Sequence, residues 1–267
     1  MKRMHEFATG QIKAECEAGI GQLIIDNPSR KNAINAAMWR AIPDAINWLV
    51  NQGGAAVILL SGGGSVDFSA GADISEFDTV RKDAETARIY EASNSRAFAA
   101  IRNASVPVIV AIRGVCYGGG FGLAAAADLR LASDDAIFAV PAARLGLAYP
   151  ADAIQDFIHG LGSQLARKAL FTGMSFRAGE MAKAGFLLKV TSSDSLHAHA
   201  QQLAETVGAN APLSLRAAKL ALRAFEQNDE DLLRDAEIIG ASTFTSEDYA
   251  EGRQAFRERR RPIFHGR

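Results

Sequence analysis

The stretch "VPVIVAIRGVCYGGGFGLAAAADLRLAS" (Val106 to Ser133) decides how this chain is read. Its first part, "VPVIVAIRG", is a compact apolar run closed by glycine, the mark of a strand buried on both faces. Its middle, "YGGGFGLAAAA", passes from bare glycines into sequence that opens a helix, and "DLRLAS" reads as a further strand. Strands alternating with helices imply parallel crossovers.

The same device stands upstream, where "AAVILLSGGG" (Ala55 to Gly64) is followed by a second glycine turn, "FSAGADI" (Phe68 to Ile74). A helix-like stretch from about Asp83 to Asn103 separates the two strands. Nearer the start, Gln11 to Ala18 and Ile20 to Asp26 alternate in part around Gly19 and read as a hairpin. Asn35 is placed to cap a helix whose apolar residues Met38, Ile42, Ala45, Trp48 and Leu49 recur at helical spacing, with Pro43 in its first turn or kinking it. "AIFAV" (Ala136 to Val140) adds a strand.

Beyond Ala151 helices dominate, around Ala151 to Leu161, Gly162 to Phe171, Arg177 to Ala184 and Asp194 to Gly208, with "FLLKV" (Phe186 to Val190) as the one short strand. Amphipathic segments follow around Pro212 to Gln227, Glu230 to Phe244 and Glu247 to Arg260. The expected organisation is an α/β core over residues 1–195 and a helical region over 196–267, with no linker between them.

At 267 residues, 48% apolar and 22% charged, the chain has the length for one sizeable α/β domain with or without a smaller appendage. A formal net charge of −1 argues against general nucleic-acid binding. Cys16 and Cys116 form neither a Cys-x-x-Cys pair nor part of a zinc-ligand set, so no metal is expected. The N-terminus lacks the apolar core of a signal peptide, and no stretch reaches membrane-spanning length without charge, so a soluble cytoplasmic protein with no membrane partner is expected.

A backbone N–H at a strand-to-helix turn is a fixed donor, and two of them converging on one point make a site for negative charge developing on oxygen. Glycine and alanine let a ligand approach the main chain closely, and the helix opening at "GGGFGL" adds its positive end. Other ligand chemistries fail on the same residues. A phosphate loop needs a Gly-Lys-Ser/Thr ending that neither turn has, "GGGFGL" breaks the dinucleotide fingerprint at Leu123, and the Gly-x-Ser-x-Gly elbow is absent. His197 and His199, two apart in a helix, point to different faces and make no shared metal site.

With both turns in view, the chain resembles the crotonase superfamily, the enoyl-CoA hydratase/isomerase family, over nearly its whole length. The resemblance is carried, in the family's order, by "IDNPSRKNAIN", "LLSGGGSVDFSAGADISEF", "PVIVAIRGVCYGGGFGLAAAADLRLAS", "AIFAVPAARLGLAYP", "ALFTGMSFRAGEMAKAGFLLKV" and "SEDYAEGRQAFRERRRPIF". It implies a crotonase-like spiral of ββα units, a C-terminal helical trimerisation region, and a homotrimer or dimer of trimers. It also implies an acyl-CoA substrate, with coenzyme A as part of the thioester and no prosthetic group. The shared chemistry is stabilisation of a thioester enolate by two main-chain N–H groups, which carry over to Ala72 and Gly119. Ala70, Asp73 and Ile74 of the first turn, Arg30 and Lys31 of "NPSRKNAIN", and Arg260 and Phe264 of the tail fall where relatives meet coenzyme A. Arg259 and Arg261 share that basic tail, which can belong to a neighbouring subunit's site or be a charged helix end.

The sequence departs from the family pattern where catalysis is usually most explicit. Hydratases carry a glutamate two residues after the triple glycine and another after the proline of a "QPE"-like stretch; here those positions are Gly122 and Ala142. Neither exchanges a proton, so ordinary hydration loses its paired carboxylates. "LGLAYP" resembles a stretch of the methylmalonyl-CoA decarboxylases, in which a tyrosine contacts the substrate carboxylate, and this implies a role for Tyr149. Decarboxylation suits a site without a strong base, because loss of CO2 leaves an enolate directly. Asp152 is a second proton-handling candidate, near where some isomerases and dehalogenases carry an aspartate, or else a first-turn helix residue. The leading expectation is a lyase acting on a short 2-carboxyacyl-CoA. The alternatives are an enoyl-CoA isomerase, an atypical hydratase, and a non-catalytic acyl-CoA-binding protein. Asp73 and Asp128 are expected chiefly to brace loops and helix ends.

Overall fold

The structure, a computed structural model, describes residues 2–267. Its strands in chain order are β1 (Arg3–Phe7), β2 (Ile12–Glu17), β3 (Ile20–Ile25), β4 (Val57–Gly62), β5 (Val108–Ile112), β6 (Val115–Tyr117), β7 (Leu129–Ser133), β8 (Ile137–Ala139), β9 (Phe176–Arg177) and β10 (Lys189–Thr191). A seven-stranded sheet runs β1-β2-β3-β4-β5-β7-β10, antiparallel through β3 and parallel from there on. A small second sheet, β6-β8-β9, pairs β6 with β8 in parallel and β8 with β9 antiparallel.

Burial of β4 and β5 on both faces explains their unbroken apolar sequence. Ile58 and Leu60 of β4 face the main core, while Val57 and Leu59 face a second cluster. Each such side chain, withdrawn from water, stabilises the fold by roughly 1.5–3 kcal/mol. The helices α1 (Ala36–Trp48), α2 (Phe77–Val80), α3 (Ala84–Arg102), α4 (Gly119–Ala126), α5 (Ala151–Thr172), α6 (Ala178–Lys183) and α7 (Ser193–Gly208) surround these sheets. Leu196, Ala200 and Ala204 of α7 close the second cluster.

Local signals place the helices that matter to the site. Asn35 accepts a hydrogen bond from Met38 N at 2.9 Å and starts α1. Pro43 lies in the interior of α1 rather than in its first turn, so the Trp39 carbonyl loses its usual donor. A reciprocal pair between Asp83 and Thr86 starts α3. The two segments read on either side of residue 162 form one element, α5, interrupted at Gly162 (φ 69°, ψ 160°). In "FLLKV", Phe186 and Leu187 are core residues outside any strand, and only its end enters β10. Strands β1 and β9 had no sequence signal.

The remaining helices, α8 (Pro212–Gln227), α9 (Glu230–Thr243) and α10 (Glu247–Glu258), lie where amphipathic segments were expected. Lys219 of α8 is buried and donates to Asp128 Oδ2 at 2.7 Å and to the Val106 carbonyl at 3.0 Å. Asp128 also accepts from Val108 N, so it braces the start of β5, a strand end where a loop or helix end was expected. Among the described residues, no helix is long and apolar enough to cross a membrane.

Candidate active site

The two glycine turns meet. Residues 69–73 run as a short extended segment between the 31–34 loop and β6. Ser69 N donates to Val115 O and Tyr117 N to Ser69 O, while Ile34 N donates to Gly71 O and Asp73 N to Ile34 O. This ladder uses the amides on either side of Ala72 and leaves the Ala72 N–H out of it. Gly71 has φ +87°, and a Cβ there would lie 2.6 Å from Tyr117 O and 2.9 Å from Gly119 N, so only glycine lets the turns approach this closely.

Gly119 is the first residue of α4, where an N–H has no intrahelical acceptor. Its ideal Cβ position lies 3.8 Å from Ala72 N. Among the described residues, neither the Ala72 nor the Gly119 N–H has a hydrogen-bond acceptor. Two neighbouring unspent donors, one at a helix N-terminus, are what developing charge on an oxygen requires.

Both residues line a cavity of about 100 Å³, together with Trp39, Phe98, Ala142 and Tyr149. Ala70 and Ile74 line it too, with the Ile74 side chain largely exposed. A larger cleft, about 780 Å³, lies between Glu15, Glu17 and Gln201 and includes neither amide.

Where hydratases carry their glutamates, the cavity holds other things. Ala142 lines it without a titratable group. A Cβ on Gly122 would fall inside contact distance of Tyr149 Oη, and 2.8 and 2.9 Å from Phe98 Cε1 and Cζ. Tyr149 and Phe98 thus fill the room a side chain at 122 would need. The Tyr149 hydroxyl donates to Gly118 O at 3.0 Å, its ring stacks on Phe98 at 6.5 Å and meets Phe157 edge-on at 5.4 Å, and burial raises its phenol well above the usual range.

No motif marks three further residues at this cavity. Arg81, Glu91 and Asn94 all line it. Arg81 lies over the rings of Phe77 and Tyr90, at 4.1 and 4.9 Å, and pairs with Glu91 Oε1 at 2.5 Å. Glu91 Oε2 has only a long contact of 3.4 Å from Asn94 Nδ2. Burial pushes the Glu91 carboxyl above its ordinary value, against the downward pull of Arg81. Asn94, buried on the inward stripe of α3 with Tyr90, Ala97 and Phe98, was the available clue, since a polar residue in an apolar stripe is the informative exception.

The other sequence candidates lie at varied distances from this centre. Asp73 caps a short 3-10 turn, accepts from Ser75 N and is held by Arg30 Nη1 at 2.8 and 2.7 Å. Burial alone would raise its carboxyl, but the bonds from Ser75 and Arg30 outweigh this and hold it below the usual range. Lys31 is exposed, in a left-handed conformation (φ 52°), and its carbonyl accepts from Ala70 N at 2.8 Å. Asp152 does not line the cavity; its carboxylate accepts from Ser95 Oγ at 2.9 Å. Arg260 pairs with Glu251 and Glu258, and Phe264 lines a separate cleft with Tyr249 and Gly252, so neither reaches the cavity within this chain.

Known proteins share this architecture. A family model described as enoyl-CoA hydratase/isomerase matches residues 15–267. A 2,3-dehydroadipyl-CoA hydratase of Escherichia coli is 30% identical over 249 residues, covering 92% of this chain and 94% of that protein. A crystal structure of an enoyl-CoA hydratase/isomerase family protein from Hyphomonas neptunium superposes with a TM-score of 0.91 at 34% identity, covering 98% of this chain and 100% of the other. Another, of an enoyl-CoA hydratase/carnithine racemase from Magnetospirillum magneticum, gives 0.90 at 32% identity, with 96% of each chain covered.

Proposed function

The chain belongs to the enoyl-CoA hydratase/isomerase family, and on that premise we propose that it decarboxylates a short 2-carboxyacyl-CoA through an enolate held by the Ala72 and Gly119 amides. The bond between the α-carbon and the carboxylate breaks, CO2 leaves, and the electron pair flows into the thioester carbonyl. The two N–H groups donate to the oxygen on which charge develops, from fixed positions, which is where such donors act most strongly. A proton then returns to the α-carbon.

The observation that carries this reading is the crowding of Gly122 by Tyr149 and Phe98. The space of one usual glutamate is filled by a phenol and a benzene ring, and Ala142 stands at the other, so water activation by paired carboxylates has no groups to run on. Losing CO2 needs no base. Tyr149 lies beside the second turn, and for its hydroxyl to meet a substrate carboxylate it must exchange its bond to Gly118 O.

In the same reading Lys31 and Arg30 meet the coenzyme A phosphates, and the 196–267 region joins copies of the chain into a trimer or a dimer of trimers. Phe225, Phe244 and Phe256, 73%, 71% and 85% exposed, give that region an apolar surface suited to association. Arg260 and Phe264 would then approach coenzyme A from a neighbouring copy. Both cysteines are free and buried, which suits a reducing cytoplasm.

Incubation with malonyl-type, 2-enoyl and 3-enoyl CoA thioesters, read by mass spectrometry, tests the proposal. Loss of CO2 from the first class supports it. Addition of water to a 2-enoyl thioester, the activity in the Escherichia coli relative's name, or double-bond migration would replace it, and binding without turnover would leave an acyl-CoA-binding protein.

A further inference from the structure

Forming and quenching an enolate requires a group that carries a proton at the α-carbon, and the cavity offers few. Its titratable side chains are Arg81, Glu91 and Tyr149. Arg81 carries a guanidinium, which has hydrogen-bond donors and no acceptor. The Tyr149 proton is committed to Gly118 O, and burial makes the phenol a poor acid. Among the described residues, Glu91 is the one carboxyl group on the cavity wall.

We propose that Glu91 carries the proton to and from the acyl α-carbon, with Arg81 and Asn94 fixing the orientation of its carboxyl group. Arg81 binds Oε1, which leaves Oε2, with its single long contact, as the oxygen that exchanges. In the quenching step the O–H bond at Oε2 breaks and leaves its pair on the carboxylate, the enolate C=C pair forms the new C–H bond at the α-carbon, and an oxygen pair re-forms the thioester carbonyl. The Glu91 carboxylate left behind is stabilised by Arg81 and takes a new proton from water. In reverse, the carboxylate removes an α-proton and the amides receive the enolate. Charged or titratable groups that act on Glu91 are Arg81 from the loop before α3 and Asp152 from α5, while Tyr149 shares the cavity. Burial biases the carboxyl toward its protonated form, which suits a donor.

The inference rests on the enolate site and not on decarboxylation, so propionyl-CoA, which has no carboxylate to lose, is the probe. Exchange of its α-hydrogens is followed in D2O by mass spectrometry, and its binding by calorimetry. Wild type is expected to exchange, and Glu91→Gln, which still accepts from Arg81, to exchange at least about 10²-fold more slowly with unchanged affinity, the usual scale for a lost general acid–base group. Glu91→Asp keeps the charge and should retain part of the rate, with the same pH dependence in form. Exchange by Glu91→Gln at the wild-type rate overturns the proposal, and so does a wild type that binds propionyl-CoA without exchange. Exchange that persists while 2-carboxyacyl-CoA releases no CO2 refutes the decarboxylase reading alone.

Discussion

Replacing Gly122 by alanine tests whether Tyr149 occupies the room of the missing glutamate. Taken as helix propensity alone, the change inside α4 would gain about 1 kcal/mol. Against this, the added methyl lies within contact distance of Tyr149 Oη and 2.8 Å from Phe98 Cε1. Overpacking of that kind costs about 1–3 kcal/mol, and displacing the Tyr149 hydroxyl from Gly118 O forfeits a further ~1 kcal/mol. The net expectation is a loss of about 1–3 kcal/mol, from the same three contributions. Tyr149→Phe alone should cost about 1 kcal/mol, since Gly118 O keeps its bond from Gly122 N. With the hydroxyl gone the methyl still crowds Phe98, so the same alanine should lose only the part of its cost that Tyr149 imposes. The two changes should therefore couple by at least about 1 kcal/mol, the displaced hydrogen bond, in the direction of rescue. Urea unfolding of the four proteins, followed by circular dichroism, measures it. An alanine cost equal in both backgrounds to within about 0.5 kcal/mol would refute the reasoning.

Asp152→Asn should leave turnover within about threefold of wild type, because this carboxylate bonds Ser95 and lies outside the cavity, whereas loss of a proton-transfer group would cost 10² or more. Asp128→Ala should destabilise the chain by about 3 kcal/mol in urea unfolding, because it strands the buried Lys219 ammonium; a change under about 0.5 kcal/mol would show that α8 is not anchored there. Asp73 has its folded pKa depressed, so its contribution is present above the unfolded value and lost as pH falls through the folded one. The stability gap between wild type and Asp73→Asn should accordingly be constant near neutrality and shrink below about pH 4. Urea midpoints from pH 3 to 7 measure this, and a gap independent of pH would contradict it.

How much of this was legible in the sequence depends on the range of the interactions involved. Caps are local, so Asn35 marked the start of α1, and the helix-like stretch read from about Asp83 begins where that residue caps α3. The two-sided burial of β4 and β5 was written in their unbroken apolar runs. Strand β1, mostly exposed, carries no apolar pattern, and the two residues of β9 are too few to make one. At the site, glycines announced the two turns because close backbone approach demands them, and the structure brings those turns together. Glu91 and Arg81 left no such trace. They lie on either side of the start of α3, and their common cavity exists only once α3 packs beside the glycine turns. Tyr149 was identified by resemblance, yet its contact with the empty side-chain space of Gly122 depends on tertiary packing alone.

The Ala72 and Gly119 amides are proposed to act on one oxygen. A crystal structure with a non-hydrolysable acyl-CoA analogue bound is the direct measurement. The thioester oxygen is predicted to lie about 2.7–3.1 Å from both nitrogens. An analogue bound in the cavity with that oxygen on any other group, or on one amide only, would contradict it.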